Sequence, residues 1–441
     1  MLLRKESSLS FDAELRFLTR KVDNIDPQTP RTDEPTWLVD DPASPALGVS
    51  QDSTDATGEL SQFYPETAHD LHPRCPSPLR NPLKFVGWIV RTAFGIAALI
   101  LLMAVIAAIP IVGFLALGFL LEAEGRVARS GRFRDGFPWM NAAPRIGSIA
   151  LGIGMWLLPT QWLAGAAADA RLVDPNSSTT IILGNAAIAA PAVLTLHLLL
   201  ALSRGGHLGA FFRPIKNVRY LISQLQAGGY WQRAGQHVGE FLSNLRLKHH
   251  FLLGLRGYTA AFVWLLPPTA LFASANRAAP GPILLTVFGG ICLVPVLLWL
   301  PLLQARLAVD NRWRAAFELK TIREAFRRAP FASLVAIVSL YVLTLPLYLL
   351  KIAPPPRDAV WFVTIVFVAS IWPARVLVGW AYRRGMKKSQ IAAWPWRWGS
   401  RLLLIPLVMA YVVILFFTPF IDAHGRLVLF EHHAFLLPAP F

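Results

Sequence analysis

Apolar segments of about 20 residues recur through this chain from Phe85 onward, the length needed to cross roughly 30 Å of hydrocarbon. Over 441 residues the hydrophobic content is 54%, which argues against a soluble globular chain. The pattern predicts an all-α polytopic membrane protein of eight or nine membrane segments. The first segment begins far too late to be a cleavable signal peptide and would act as an uncleaved insertion signal. Phe85 to Leu121 is 37 residues, about 55 Å as one straight helix. That is too long for one crossing, and Ile109-Pro110 interrupts it. Arg80 and Lys84 before it and Arg126 to Arg134 after it put both ends on one side, so a tight hairpin or re-entrant pair is expected. A single crossing is the alternative. Later spans are expected at 146–168, 179–202, 251–274, 282–304, 331–353, 359–381 and 402–421.

The charge of +16 would suit nucleic acid, but its placement points to a membrane. Residues 1–84 hold 9 Lys/Arg against 14 Asp/Glu, and the remainder holds 33 against 12. Loops 122–145, 203–250, 305–330 and 382–401 carry 5, 7, 7 and 6 Lys/Arg. The segments between them on the other side carry only Arg171, Arg277, Lys351, Arg357 and Arg426. By the positive-inside rule the basic loops are cytoplasmic and the C-terminus external, in a bacterial inner membrane. No nucleic-acid partner is expected. Cys75 and Cys292 are too few for a disulfide framework or a cysteine metal site.

Residues 1–84, with stretches such as DEPTWLVDDPASP, read as a disordered cytoplasmic tail. Within it Phe11, Leu15, Leu18 and Val22 have helical spacing. The 85–202 segment forms a first membrane unit, 203–250 a basic loop, 251–381 a second unit, and 382–441 a loop, last span and short external end. In the long loop Leu208, Phe211, Phe212, Ile215, Val218, Leu221, Ile222 and Leu225 fall on one helical face, with Arg213, Lys216 and Arg219 off it. A second helix offers Trp231, His237, Val238, Phe241, Leu242 and Leu245. Phe317, Ile322, Ala325 and Phe326 make a shorter one, with Arg323, Arg327 and Arg328 facing water or phosphate. Such helices lie in the membrane interface or dock a cytoplasmic protein partner.

A repeat ties the two units together. Glu124–Phe137 reads EGRVARSGRFRDGF and Gln304–Phe317 reads QARLAVDNRWRAAF. An offset of 180 residues aligns Arg126 with Arg306, Ala128 with Ala308, Arg132 with Arg312, Arg134 with Arg314 and Phe137 with Phe317. The same offset lays Arg204-Gly205 on Arg384-Gly385. Two related units in tandem are expected.

Drawn this way, no span holds an acid in its interior, which weighs against proton-coupled carriers and intramembrane aspartyl proteases. There is no HExxH, P-loop or GxSxG pattern, so no catalytic, cofactor-binding or metal-ligating set is offered. Asp422, His424, Glu431, His432 and His433 include metal-compatible side chains, but their spacing fits no recognised site. Within spans the cations are Arg91, Arg256 and Arg375, each placed near a cytoplasmic end, with His197 as a packed or hydrogen-bonded histidine. The arginines either snorkel to the headgroups or gather a lipid phosphate or other anion, joined by Arg126 and Arg306. Glu122 and Glu124 are their candidate polar partners. Prolines 159, 191, 267, 268, 295, 346, 373 and 406 interrupt the spans, as in transporters with broken helices and in membrane helices generally.

LLEAEGRVARSGRFRDGF, LRLKHHFLLGLRGY, PLLQARLAVDNRWRAAFELKTIREAFRRAP, IWPARVLVGWAY and LFEHHAFLLPAPF together resemble an uncharacterised family of bacterial multi-pass membrane proteins, a domain of unknown function. The likeness covers roughly residues 80–441. It implies an inner-membrane location and a helical fold, and it carries over no site residue. The leading expectation is a non-enzymatic membrane protein that binds anionic lipid or scaffolds partners. A channel or permease for a small or anionic solute is the alternative, and a lipid-modifying enzyme a third.

Overall fold

The computed structural model describes residues 75–228, 230–276, 280–352, 356, 361–420 and 425–436. All belong to one compact unit, Glu66–Phe441. The tail helix expected around Phe11–Val22, and the side chains of Trp231, His237, Val238 and Phe241, lie outside the described residues. The helices are α1 Pro82–Ala108, α2 Gly113–Ser130, α3 Ala143–Val173, α4 Ser178–Ser203, α5 Pro214–Gln226, α6 Tyr230–Leu245, α7 Leu247–Phe272, α8 Pro280–Asp310, α9 Leu319–Arg328, α10 Pro330–Ile352, α11 Trp361–Lys387 and α12 Trp394–Phe417. Short 3₁₀ turns join some of them, and no strand occurs among the described residues.

Among the described residues, seven helices are long and apolar enough to cross a membrane: α1, α3, α4, α8, α10, α11 and α12. This supports the reading of an all-α, multi-pass membrane protein. Helix α7, expected as a span, runs for 26 residues but opens on Leu247-Lys248-His249-His250 and is not among the seven. The seven differ in how deeply they sit. The apolar window of α11 is 61% buried by protein and that of α3 only 11%, so α11 is central and α3 peripheral.

The long first segment divides where its proline stands. Pro110 drives the preceding residue out of the helical region; Ile109 is extended at φ −93° and ψ 119°, which ends α1. Ile111 then takes a positive φ of 68°, and α2 begins at Gly113. The other prolines break nothing: Pro159, Pro191, Pro267, Pro268, Pro295, Pro346, Pro373 and Pro406 all lie inside continuous helices. The expectation of broken helices is corrected accordingly.

Helix α2 is the centre of the bundle. Every residue from Ala116 to Gly125 is buried, against α7, α8 and α11. Small residues allow those helices to come so close. A Cβ on Gly118 would collide with the carbonyl oxygen of His250, and one on Gly254 with that of Phe114, so α2 and α7 cross backbone to backbone. A Cβ on Gly379 of α11 would likewise meet the carbonyl of Glu124. Close crossings through small residues are how helices associate where apolar burial alone gives no preference over lipid.

The two basic motifs follow the same backbone course. Gly131 at φ 77° and Asn311 at φ 52° stop α2 and α8 in the left-handed region, which glycine and asparagine tolerate best. Each donates its N–H across 2.7 Å, to Val127 and Leu307 respectively. Arg132 and Arg312 then extend, at φ −104° and −115°, and the 3₁₀ turns Phe133–Gly136 and Trp313–Phe317 follow. In each turn the carbonyl at the aligned position accepts an indole N–H: Trp372 to Gly136 at 2.8 Å and Trp264 to Ala316 at 3.0 Å. Phe137 and Phe317 pack on those same indoles.

The amphipathic elements depart from expectation in two ways. The face drawn from Leu208 to Leu225 is cut by Pro214, giving a single turn Leu208–Phe211 and then α5. Helix α9 turns inward: Ile322, Ala325 and Phe326 are buried, and Gly385 of α11 lets the Ala325 backbone approach. It packs on protein, not on lipid.

Replacing Gly254 with valine should cost about 1–3 kcal/mol or more through overpacking. Gly154, with nothing within 4 Å of a Cβ, should tolerate alanine with a gain of about 0.5–1 kcal/mol. Thermal unfolding of both variants in one detergent checks the contrast.

Candidate functional site

Glu122 and Glu124 both belong to α2, which continues past Leu121 to Ser130. The expectation that acids stay out of the apolar interior therefore fails: Glu122 is 3% exposed and Glu124 is 0%. The apolar run ends at Leu121, before the first acid, whereas the helix stops only where Gly131 takes its left-handed turn. Two residues along a helix are separated by about 200° of rotation, so the two carboxylates face opposite ways and have different partners.

Glu122 faces α7 and its own last turn. One oxygen accepts from Arg126 Nε at 3.1 Å and from Arg129 Nη2 at 3.0 Å, and the other meets His249 Nε2 at 3.2 Å. Arg129 also donates to the Ala308 carbonyl at 3.0 Å, tying the end of α2 to α8. Arg126, expected to hold an anionic ligand, instead holds a glutamate of its own helix, and Arg129 joins it there.

Glu124 faces α11. Its Oε2 accepts from Arg375 Nη1 at 3.0 Å, and the same nitrogen donates to Gln304 Oε1 of α8 at 2.8 Å. Arg375 Nη2 donates to the Ala434 carbonyl at 3.1 Å and, at 3.5 Å, to that of Phe435. Gln304 Nε2 is shared between the carbonyls of Phe435 at 3.3 Å and Gly257 at 3.4 Å. Pro301, Leu340 and Val378 complete the walls, and the space between is too tight to admit a water molecule. Arg375 is 2% exposed and lies in the middle of α11, not near an end, so snorkelling is excluded for it.

The network is dry and incompletely satisfied. Glu124 Oε1 and Arg375 Nε have no hydrogen-bond partner among the described residues. A buried polar atom left in this state costs about 1–3 kcal/mol. The C-terminal segment closes the site: Ala434, Phe435 and Leu436 are buried, and His432 Nε2 bonds Thr269 Oγ1 of α7 at 2.9 Å.

The remaining candidates do not join into a ring. Arg91 is exposed on α1. Arg256 donates to the carbonyl and side-chain oxygens of Asn311, both at 2.9 Å, and so braces the left-handed end of α8. Arg306 holds Asp310 at 2.9 Å, Glu318 at 3.0 Å and the Tyr382 hydroxyl at 3.3 Å. His197 Nε2 lies 2.8 Å from the Phe211 carbonyl, which can only accept, so that nitrogen carries the proton. This is the hydrogen-bonded histidine expected, and Trp156 donates to the same carbonyl at 2.9 Å. No group of three metal-ligating side chains converges among the described residues, and Asp422 and His424 lie outside them.

Gln304, Thr269 and the Ala434 and Phe435 carbonyls were not anticipated. Gln304 carried a signal, being an amide at the end of an apolar run within the repeated motif. The backbone carbonyls carried none. What the helices and this centre define is an all-helical chain suited to a multi-pass membrane protein. No family model, curated protein or solved structure matches it.

His432 sits in the segment after α12, where burial lowers its pKa to about 4 from the ordinary histidine value of 6.5. The folded protein keeps it neutral, so below about pH 6.5 the unfolded chain binds a proton that the native one excludes. Its contribution is full above that pH and declines as pH falls toward about 4. The loss of melting temperature between pH 7.5 and pH 5 should therefore be smaller in His432→Gln than in the wild type. Equal losses would contradict this.

Proposed function

We propose that this is a non-enzymatic, multi-pass protein of a bacterial inner membrane, built from two related units, that binds anionic lipid at the cytoplasmic leaflet. The alignment of basic loops supports that orientation, and the likeness to a bacterial multi-pass family fits it. The shared cap, extended arginine and tryptophan-docked turn of the two motifs support the tandem relation.

One observation carries the lipid reading, and it moves the contact from the core arginines to α5. Ile215, Val218, Ile222 and Leu225 form an apolar face that is exposed. Arg213, Lys216 and Arg219 are exposed off that face. Asn217, on the opposite side and fully buried, donates to the Ala210 carbonyl at 2.9 Å and accepts from Arg204 at 2.6 Å. The helix is thus fixed to the bundle by its polar back, with its apolar front turned outward. That is the arrangement of an interfacial helix whose cations reach headgroup phosphates. Trp394, Trp396 and Trp398 are exposed near Lys387 and Lys388, as in an aromatic belt. A permease for a small solute is the second reading, favoured by the buried charge centre of Glu124 and Arg375; solute flux in vesicles discriminates it.

Nitroxides placed by Val218→Cys and Lys216→Cys test the first reading in vesicles with and without anionic lipid. The label at 218 should collide mainly with oxygen and the label at 216 mainly with a water-soluble relaxant. Equal access of the aqueous agent to both would overturn the interfacial placement.

A further inference from the structure

The centre around Arg375 presents hydrogen-bonding capacity that its present neighbours do not use. Arg375 and Gln304 offer donors that are met by two backbone carbonyls, those of Ala434 and Phe435, at 3.1–3.5 Å. The same segment returns nothing to Glu124. Its N–H groups are turned onto itself: His433 donates to Glu431, and Phe435 and Leu436 both donate to His432, each at 2.9 Å. Glu124 Oε1 is consequently an acceptor without a donor, and Arg375 Nε a donor without an acceptor; both residues are buried and line the same space.

The charge of the centre narrows what could take that place. Arg375 is already paired with Glu124 at 3.0 Å, so a further anion would add an uncompensated charge to a dry interior, which is strongly disfavoured. A neutral secondary amide answers both deficits at once: its carbonyl accepts from Arg375 or Gln304, and its N–H donates to Glu124 Oε1. The body attached to it must be apolar, because the space it would inherit is that vacated by the fully buried Phe435, beside a cavity that Phe435 lines together with Pro301, Leu340 and Val378.

We propose that Glu124, Gln304 and Arg375 form a binding site for a neutral amide on an apolar body, such as an apolar peptide, and that residues 425–436 are its built-in, displaceable occupant. The segment is suited to that role by its construction. It contains 3₁₀ and turn backbone whose N–H groups at 431, 433, 435 and 436 bond within the segment, and its hydrogen bonds to the helices are made by the side chains of Arg375, Gln304 and Thr269, so it can leave as a unit without unwinding a helix. The proposal is independent of the lipid contact at α5, and either can fail alone.

Hydrogen exchange of the full-length protein in lipid nanodiscs tests it. N-acetyl-L-phenylalaninamide is the probe, ethylbenzene supplies the apolar body without the amide, and N-acetyl-L-phenylalanine supplies the anionic counterpart. The amide should speed exchange across residues 425–436 at least tenfold while α2, α7, α8 and α11 keep their protection, and the two controls should have little effect. In Gln304→Leu the basal exchange of the segment should rise and the response to the amide should shrink. Absence of acceleration by the amide, acceleration shared by the flanking helices, or a stronger effect of the anion would each overturn the proposal.

Discussion

The ion pair between Glu124 and Arg375, 3.0 Å apart with both residues nearly inaccessible, is the constraint on which the rest of the bundle depends. Two charges in a dry interior are tolerable only if geometry holds them together, and the chain supplies that geometry from every side. Gln304 of α8 bridges to Arg375, the backbone of the C-terminal segment takes up a further guanidinium nitrogen, and glycines remove the side chains that would hold the helices apart. Removing either partner strands the other charge in the core.

The same logic explains the contrast between the two ends of the network. Glu122, two residues away, is met by two arginines and a histidine and is fully engaged. Glu124 has a single cation and an oxygen left over. Well-satisfied buried networks rigidify, whereas partly satisfied ones hold capacity for something else. Around Glu122 the bundle is braced; around Glu124 it is closed by a segment that fits incompletely. Helix α5 stands apart from both, fastened by Asn217 and presenting apolar side chains outward.

Much of the architecture was legible in the sequence because lipid imposes long apolar helices, and length and hydropathy report those directly. The repeated motif was legible too, through its aligned arginines and Phe137 with Phe317, whereas the left-handed caps at Gly131 and Asn311 emerge only in the structure. The site was legible only in part. Glu122, Glu124 and Arg375 stand out in the sequence as polar groups of interest, but a span that stops at Leu121 leaves the two acids at the membrane edge, and Arg375, inside its span, reads as a cation close to the cytoplasmic end. What reverses that placement is tertiary packing: α2 is shielded by α7, α8 and α11, so a charged helix lies inside a shell of apolar ones. Long-range partners such as Ala434 and Phe435 act through backbone carbonyls, which every residue possesses and no motif records. The inward turn of α9 was hidden for a related reason, since an amphipathic face does not state whether it packs on lipid or on protein.

The measurement that bears most directly on this account is a double-mutant cycle on Glu124→Gln and Arg375→Met, read as unfolding free energy in a fixed detergent. A buried pair predicts losses of about 3–5 kcal/mol for each single change. The double variant should then be about as stable as either single one, giving a large coupling energy. Single losses below about 1 kcal/mol that simply add are the behaviour of a solvent-screened surface pair. That result would contradict a bundle organised around this interaction.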